Sequence, residues 1–344
     1  MRLAVCMPQV PFERGGTEIF ADGLVRALNE RGHETELVTV PFKWYPGERV
    51  LTQAFLWRLL DLEEANGRPI DAVIATKFPS YGVRHPRKVV WLLHQFRQAW
   101  DLDRTELGQF SESAEDRALR RRVLAFDRTA LGEARRIFTT SAVVARRLHD
   151  STGLDAEVMA PPPAPLEFRC TGYDDFILSV NRLDRAKRID LLIEAAAAEP
   201  ALNIVVVGDG PDRDRLERLA QDRGLDGRAT FTGRVTDEEL ADLYGRCLGV
   251  YYAPVDEDYG LVPFEAFLSG KPVLTMTDAG GPLDIVHDRE TGLVVAPSAE
   301  DVARACAWLR GHADEARAFG RAGRELARGV TWDSCIDRLL AAVA

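Results

Sequence analysis

The chain has 344 residues, 46% hydrophobic and 28% charged, with a formal net charge of −10 from 44 basic and 54 acidic side chains. That length suits two domains, and the composition is that of a globular protein with a sizeable core. The acidic balance excludes a nucleic-acid footprint, so an anionic ligand needs a local basic pocket working against the global field.

The first predicted strand is RLAVCM (2–7), followed by a helix over 17–32 closed by Gly32 and a second strand, ETELVTV (34–40). Further strands are predicted at 71–76, 88–93 and 135–140, with a long helix SAEDRALRRRVLAFDRTALGEA before the last of them. The run VMAPPPAPLEF (158–168), with three consecutive prolines and Pro165, reads as a stiff extended connector and sets a domain boundary. Beyond it strands recur at 175–181, 203–208, 228–233, 248–254, 271–276 and 292–297, and the chain closes on three helical stretches. Strand–helix alternation throughout predicts an α/β protein with parallel sheets covered on both faces. The expected domains are 1–165, 166–328 and a terminal helix, 329–344, returning to the first. Ligand sites are expected at the carboxyl ends of the strands and in a cleft between the halves.

The five cysteines, Cys6, Cys170, Cys247, Cys306 and Cys335, are scattered without a C-x-x-C pair. They point to free thiols in a reducing cytoplasm and not to a disulfide framework or zinc site. MRLAVCMPQV is interrupted too early for a signal peptide, and no apolar run approaches a membrane span.

Several loops carry chemistry-bearing residues. PQVPFERGGTEIF follows the first strand; Gly15-Gly16 lets backbone approach a ligand closely, and Thr17 is placed to cap the helix. His94 follows the strand 88–93, where an imidazole can bond a hydroxyl or move a proton. SVNRLDRAKRID brings Arg182, Arg185, Lys187 and Arg188 to a strand end, a set that suits a diphosphate. VVVGDGPDRDRL begins as G-x-G, but Arg213 stands at the third glycine position, which argues against a nicotinamide dinucleotide. In DEDYGLVPFEAFLSGKPVL, Pro263 opens a short helix that Gly270 ends, so backbone N–H groups between Gly260 and Phe264 make an anion site. Glu257 and Glu265 flank that site; two carboxylates repel an anion, but they suit hydroxyls on either side of one. DAGGPLDIV offers Gly280-Gly281 N–H groups toward the cleft. Each feature alone equally fits a plain turn or a solvated loop.

Taken in order, the Gly-Gly loop, the His, R-x4-K, G-D-G-P, E-x7-E and G-G-P resemble glycosyltransferase family 4. The resemblance covers the whole chain and is most specific over 176–297. It implies a GT-B fold, two Rossmann-like domains facing a cleft, and retaining transfer of a sugar from a nucleotide-diphosphate donor, with no metal and no cofactor. By position it implies that Arg182 and Lys187 hold the diphosphate leaving group, aided by Leu261 and Val262 N–H groups beside Tyr259 and Gly260. Glu265 would take the ribose hydroxyls and Glu257 those of the sugar. His94 would meet the donor sugar, Gly16 the phosphate or acceptor, and Gly233, Arg234 and Val235 would flank the base. The sequence departs from the commonest family form at Asp258, Asn181, Arg188 and Asp284.

The acceptor is expected on the N-terminal half, as a glycan or a lipid-linked sugar in surface polysaccharide or glycoconjugate biosynthesis. Trp44, Tyr45, Phe55 and Trp57 offer aromatic faces there. The arginine-rich 117–136 stretch, with Arg117, Arg121 and Arg128 on one helix face, is a candidate for peripheral contact with an anionic bilayer. A nucleotide-sugar epimerase-like GT-B enzyme and a non-catalytic nucleotide-sugar-binding scaffold are alternatives that the sequence leaves open.

Overall fold

The computed structural model describes all residues except 14, 106, 107, 164 and 165. The chain divides into two units, Met1–Ala164 with Thr331–Ala344, and Pro165–Val330. The boundary predicted between 165 and 166 abuts Pro165, which lies outside the described residues.

In the first unit β1 (Arg2–Gln9), α1 (Gly16–Glu30) and β2 (Glu34–Pro41) are followed by α2 (Arg49–Leu59) and a small hairpin, β3 (Glu64–Ala65) with β4 (Arg68–Pro69). Then come β5 (Ala72–Ala75), β6 (Lys88–Leu92), α3 (Ala114–Gly132), β7 (Arg136–Thr139), α4 (Ala142–Thr152) and β8 (Glu157–Val158). The large sheet has the order β2-β1-β5-β6-β7-β8, all parallel. Its central strands β5 and β6 are buried along their whole length, which is why they read as uninterrupted apolar runs.

The second unit carries β9 (Ile177–Val180), α5 (Ile189–Ala198), β10 (Ile204–Val207), α6 (Arg213–Asp222), β11 (Ala229–Gly233), α7 (Asp237–Arg246) and β12 (Gly249–Tyr251). It continues with α8 (Val262–Leu268), β13 (Val273–Met276), β14 (Gly292–Val295), α9 (Ala299–Gly311) and α10 (Ala313–Arg328). Its parallel sheet runs β11-β10-β9-β12-β13-β14. The order reverses between β9 and β12, so the loops leaving those two strands diverge and open a crevice at their carboxyl ends. In the first sheet the corresponding reversal lies between β1 and β5.

The last helix, α11 (Trp332–Val343), joins the first unit. Cys335, Ile336, Leu339 and Val343 share a core with Leu3, Phe20, Leu24 and Trp91. Trp332 lies across Gly23 of α1, where a β-carbon would come within 2.7 Å of its ring. Arg31 adds ion pairs to Asp333 and Asp337 at 3.0 and 2.6 Å.

Side-chain caps mark several helix starts: Ser113, Ser141, Thr236, Ser298 and Thr331 each accept from a main-chain N–H in the first turn. The start of α1 differs from expectation. Gly15, not Thr17, is the N-cap, and Glu18 reaches back to accept from Gly15 N at 2.8 Å. Thr17 lies inside the helix, two residues past the cap position.

Candidate active site

The crevice of the second sheet is built by the loops after β9 and β12. Asn181 and Arg182 leave β9, and a single 3-10 turn, Arg185–Lys187, follows. The segment Asn181–Leu183 ahead of that turn presses against the loop after β10. A β-carbon on Gly208 would lie 1.9 Å from the Asn181 carbonyl, and one on Gly210 would lie 2.3 Å from that of Leu183. The glycines of G-D-G-P therefore allow two loops to stack at the strand ends. Arg182 is exposed.

Lys187 and Glu257, which stand on the two diverging loops, form an ion pair by direct hydrogen bond. Below the pair lies Tyr252, 4% exposed. Lys187 Nζ stands 5.7 Å from its ring centre, and the phenol donates to Glu257. Burial, with the Glu257 and Glu265 carboxylates adding to it, holds this phenol well above its ordinary pKa, so it remains a donor. Gly260 passes over the ring at φ 98°, and a β-carbon there would meet Tyr252 at 2.6 Å. Only glycine combines that conformation with that approach.

Gly260 delivers the chain to α8. Leu261 is its N-cap, Val262 its first residue and Pro263 follows, so the Leu261 and Val262 N–H groups open a helix with no preceding turn to satisfy them. Glu265 sits in this first turn and accepts from Tyr244 Oη at 2.7 Å. Burial raises its pKa, while the Tyr244 bond opposes that rise. Tyr259 stacks near Phe264, ring centres 5.2 Å apart.

The G-G-P loop has a different task from the one expected. Gly281 N–H donates to the Glu257 carbonyl at 2.8 Å, and Gly280 bridges Glu257 in parallel register. A β-carbon on Gly280, at φ 79°, would lie 2.5 Å from that carbonyl. The Gly281 N–H is thus spent on fixing the backbone that carries Glu257 and does not face a ligand.

Arg188 also differs from its neighbours in R-x4-K-R. It is buried, takes the left-handed conformation at φ 51°, and donates to Asp278 at 2.7 Å and Met276 Sδ at 3.0 Å. Tyr251 Oη donates to its carbonyl at 2.8 Å. These bonds hold a conformation that otherwise favours glycine and turn Arg188 away from the basic loop.

Gly233 ends β11 at φ 72°, its carbonyl accepting from Gly208 N at 2.8 Å. Arg234 and Val235 line a recess of about 940 Å³ between α7 and the stretch around Glu167 and Arg169. The structure thus brings Lys187, Glu257, Tyr252, Gly260 and Glu265 into one cluster, with the Arg234 recess in the same unit.

His94 and Gly16 belong to the first unit. His94 follows β6, half-buried, with Nδ1 2.7 Å from the Gln95 carbonyl. Gly16 is the exposed first residue of α1. The sequence did not point to Lys77, at the end of β5 beside the switch point; burial lowers its pKa and the Glu18 carboxylate raises it. Tyr252 was hidden inside an apolar strand run and Tyr244 on the buried face of a charged helix.

The other predicted faces divide. Trp57 is core, whereas Trp44, Tyr45 and Phe55 are exposed. Trp44 and Tyr45 line a pocket of about 340 Å³ with Val10, Pro41 and Phe42 at the ends of β1 and β2. In α3, Arg120 is tied to Ala99 O at 2.8 Å and Asp103 at 3.2 Å, and Arg128 to Ser151 O at 3.1 Å; Arg117, Arg121 and Arg122 are exposed. Among the described residues no helix is long and apolar enough to cross a membrane, and no group of three or more His, Cys, Asp or Glu side chains could hold a metal ion.

Two Rossmann-like parallel-sheet units define the GT-B class. Residues 171–326, within the second unit, match the model of the family Glycosyl transferases group 1. The chain is 34% identical over 198 residues to a D-inositol 3-phosphate glycosyltransferase of Mycobacteroides abscessus, across 55% of this chain and 44% of that protein. It is 33% identical over 204 residues to a GDP-mannose-dependent alpha-(1-6)-phosphatidylinositol monomannoside mannosyltransferase of Mycobacterium tuberculosis, across 54% and 53%. The chain spans about half the length of the curated relatives it matches. Among solved structures, sucrose-phosphate synthase from Thermosynechococcus elongatus superposes with a TM-score of 0.78 over 100% of both chains at 21% identity, a likeness of fold.

Proposed function

We propose that the protein is a retaining, metal-independent glycosyltransferase that moves a sugar from a nucleotide-diphosphate donor to a hydroxyl of a glycan or lipid-linked acceptor. The observation that carries this is the Lys187–Glu257 pair at the β9/β12 switch point, set against the first turn of α8 with Glu265. The cation and the helix N–H groups match a diphosphate, and the two carboxylates match the ribose and sugar hydroxyls on either side of it. The family match within the second unit and the two named relatives support the same class.

In this proposal Arg182 and Lys187 stabilise the charge that develops on the departing diphosphate, with Leu261 and Val262 N–H groups beside them. Their fixed charge serves where a divalent cation otherwise would. Glu265 accepts from the ribose, Glu257 from the donor sugar, and Gly233, Arg234 and Val235 border the base. His94 is assigned to the donor sugar, and Gly16 to the donor phosphate or the acceptor. The bond from the anomeric carbon to the phosphate oxygen breaks as the acceptor oxygen bonds to that carbon on the same face. The acceptor proton passes to the leaving phosphate oxygen. No side chain is needed as base or as nucleophile. The Trp44–Tyr45 pocket is the proposed place for acceptor rings, and contact with an anionic bilayer through the α3 face of Arg117, Arg121 and Arg128 forms part of the lipid-linked version.

Product analysis by NMR tests the class. Incubation with nucleotide sugars and a panel of acceptors is expected to give a glycoside with the donor's anomeric configuration. An epimerised donor, or donor bound without turnover, overturns it. Flotation with anionic and neutral vesicles tests the membrane contact; equal recovery with both removes it.

A further inference from the structure

Asp127 lies midway along α3, fully enclosed, and is not part of the proposed active site. Its carboxylate accepts from Tyr81 Oη at 2.8 Å, from Trp100 Nε1 at 2.7 Å and from the Phe96 N–H. Tyr81 belongs to the 3-10 turn after β5; Phe96 and Trp100 belong to the loop after β6. That loop begins at His94, whose imidazole is bonded to the Gln95 carbonyl. One carboxylate therefore fastens the backbone two residues beyond His94 and the indole six residues beyond it. Neighbouring groups brace the same loop. Ser151 of α4 donates to Gln95 Oε1 at 3.1 Å, and the Arg128 guanidinium stands 5.1 Å over the Trp100 ring. Arg120 holds Ala99 O, and Arg147 and Arg97 hold Asp101 at 3.6 and 2.7 Å.

A buried carboxylate is costly, and an apolar side chain would fill the same space without that cost. What the ionised form supplies is an acceptor-only group able to serve three donors at once. We propose that Asp127 is a positioning residue: it anchors the loop after β6 and so fixes the presentation of His94 to the donor sugar, without touching substrate. This rests on the transferase function proposed above only for its effect on rate; the anchoring itself does not.

Loss of the charge weakens the anchor. A protonated carboxyl, or an amide, turns a donor toward the ring of donors, and Trp100 Nε1 cannot accept. Burial lifts the Asp127 pKa to about 7, against the Trp100 and Tyr81 bonds, the Arg128 charge and the Phe96 N–H. The titratable and charged groups facing it are Tyr81 from the turn after β5 and Arg128 from its own helix; Tyr81 is itself held well above 10 by burial and remains a donor. The anchor is complete above neutral pH and loosens below it.

Hydrogen exchange and kinetics on the whole chain test this. Asp127→Asn is expected to speed exchange in residues 94–103 alone. It is expected to lower kcat by roughly 10- to 100-fold, to leave nucleoside diphosphate affinity unchanged, and to abolish an acid limb of kcat centred near pH 7. Trp100→Phe in the Asp127→Asn background removes the donor that the amide opposes and recovers part of the loss. Unchanged exchange in 94–103, or exchange raised across the whole unit, overturns the anchoring. A loosened loop with unchanged kcat and pH profile overturns the link to His94. Absence of turnover in the unmodified protein overturns the transferase proposal instead, while the exchange comparison still decides the anchoring.

Discussion

The Lys187 ammonium is hydrogen-bonded to the Glu257 carboxylate, joining the two loops that diverge from the switch point of the second sheet. Tyr252 lies beneath both, donating to Glu257 while its ring lies near the ammonium. In the proposed function a diphosphate entering this crevice would compete with Glu257 for Lys187. Freed of that cation, Glu257 would become an acceptor for sugar hydroxyls. The same pair would then link phosphate binding to sugar binding.

Two substitutions separate these roles. Lys187→Ala is expected to lower kcat by about 10²- to 10³-fold, the range for losing one transition-state charge stabiliser, and to weaken donor binding less. Glu257→Gln is expected to raise affinity for a nucleoside diphosphate, because Lys187 loses its competitor, while turnover of the nucleotide sugar falls. Steady-state kinetics with calorimetry on both variants check this. An equal loss of kcat and affinity in Lys187→Ala would mean uniform binding.

Glu265 predicts a pH dependence. Burial raises its pKa above the ordinary 4.5, and the Tyr244 bond restrains the rise. In the proposed function ribose hydroxyls donate to the ionised form, so donor affinity should fall as pH drops through a midpoint above 4.5. Tyr244→Phe removes the restraint and should move that midpoint upward; Glu265→Ala should weaken donor binding at all pH values. For stability the sign is opposite. Between the ordinary and raised pKa the folded protein holds a proton that the unfolded chain has lost, so this group's contribution falls as pH rises through that window. Calorimetric titrations from pH 4.5 to 8 on the three proteins check the midpoint, and a wild-type midpoint unmoved by Tyr244→Phe would contradict the assignment.

Gly280→Ala should cost activity although residue 280 is assigned no substrate contact. A β-carbon 2.5 Å from the Glu257 carbonyl, at φ 79°, forces the Glu257 loop to shift. A loss of about 1–3 kcal/mol in stability is expected from the backbone alone, with a further fall in kcat from the displaced carboxylate. Urea unfolding and turnover measured together check both parts.

The terminal helix offers a test of the first unit. Trp332 packs on Gly23, with ring contacts to Phe20 and Trp91 at 6.2 Å each. Trp332→Ala should destabilise by about 3 kcal/mol, the lower end for removing a large aromatic. Gly23→Ala should also destabilise, since the indole has to move. Nucleoside diphosphate affinity, carried by the other unit, should stay unchanged in both, as calorimetry can check.

The sheets were legible because parallel strands buried on both faces are unbroken apolar runs, as in DAVIAT and NIVVVG. The helix α2 was not, because Phe55, Leu56 and Leu59 point outward and blur its apolar stripe. The two-residue strand β8 is too short to carry a pattern. At the site, the order of R-x4-K and E-x7-E along the chain could be read directly. What lay between them could not. Tyr252 and Tyr244 look like strand and helix core until the fold sets their hydroxyls against Glu257 and Glu265. Gly280 and Gly281 read as N–H groups facing a cleft or as a plain turn, and only the fold shows their close approach to Glu257. Arg188 carries the same charge as Lys187 but not the same direction, because the left-handed turn aims it at Asp278.

In the proposed function the second unit binds a nucleoside diphosphate through Arg182 and Lys187. Calorimetric titration of the whole chain with UDP, GDP and ADP, with a chelator present, tests it most directly when repeated on the Arg182→Ala/Lys187→Ala double variant. One nucleotide is expected to bind without metal, and the double variant is expected not to bind it. No binding of any of the three, or equal binding by the double variant, would contradict the proposal.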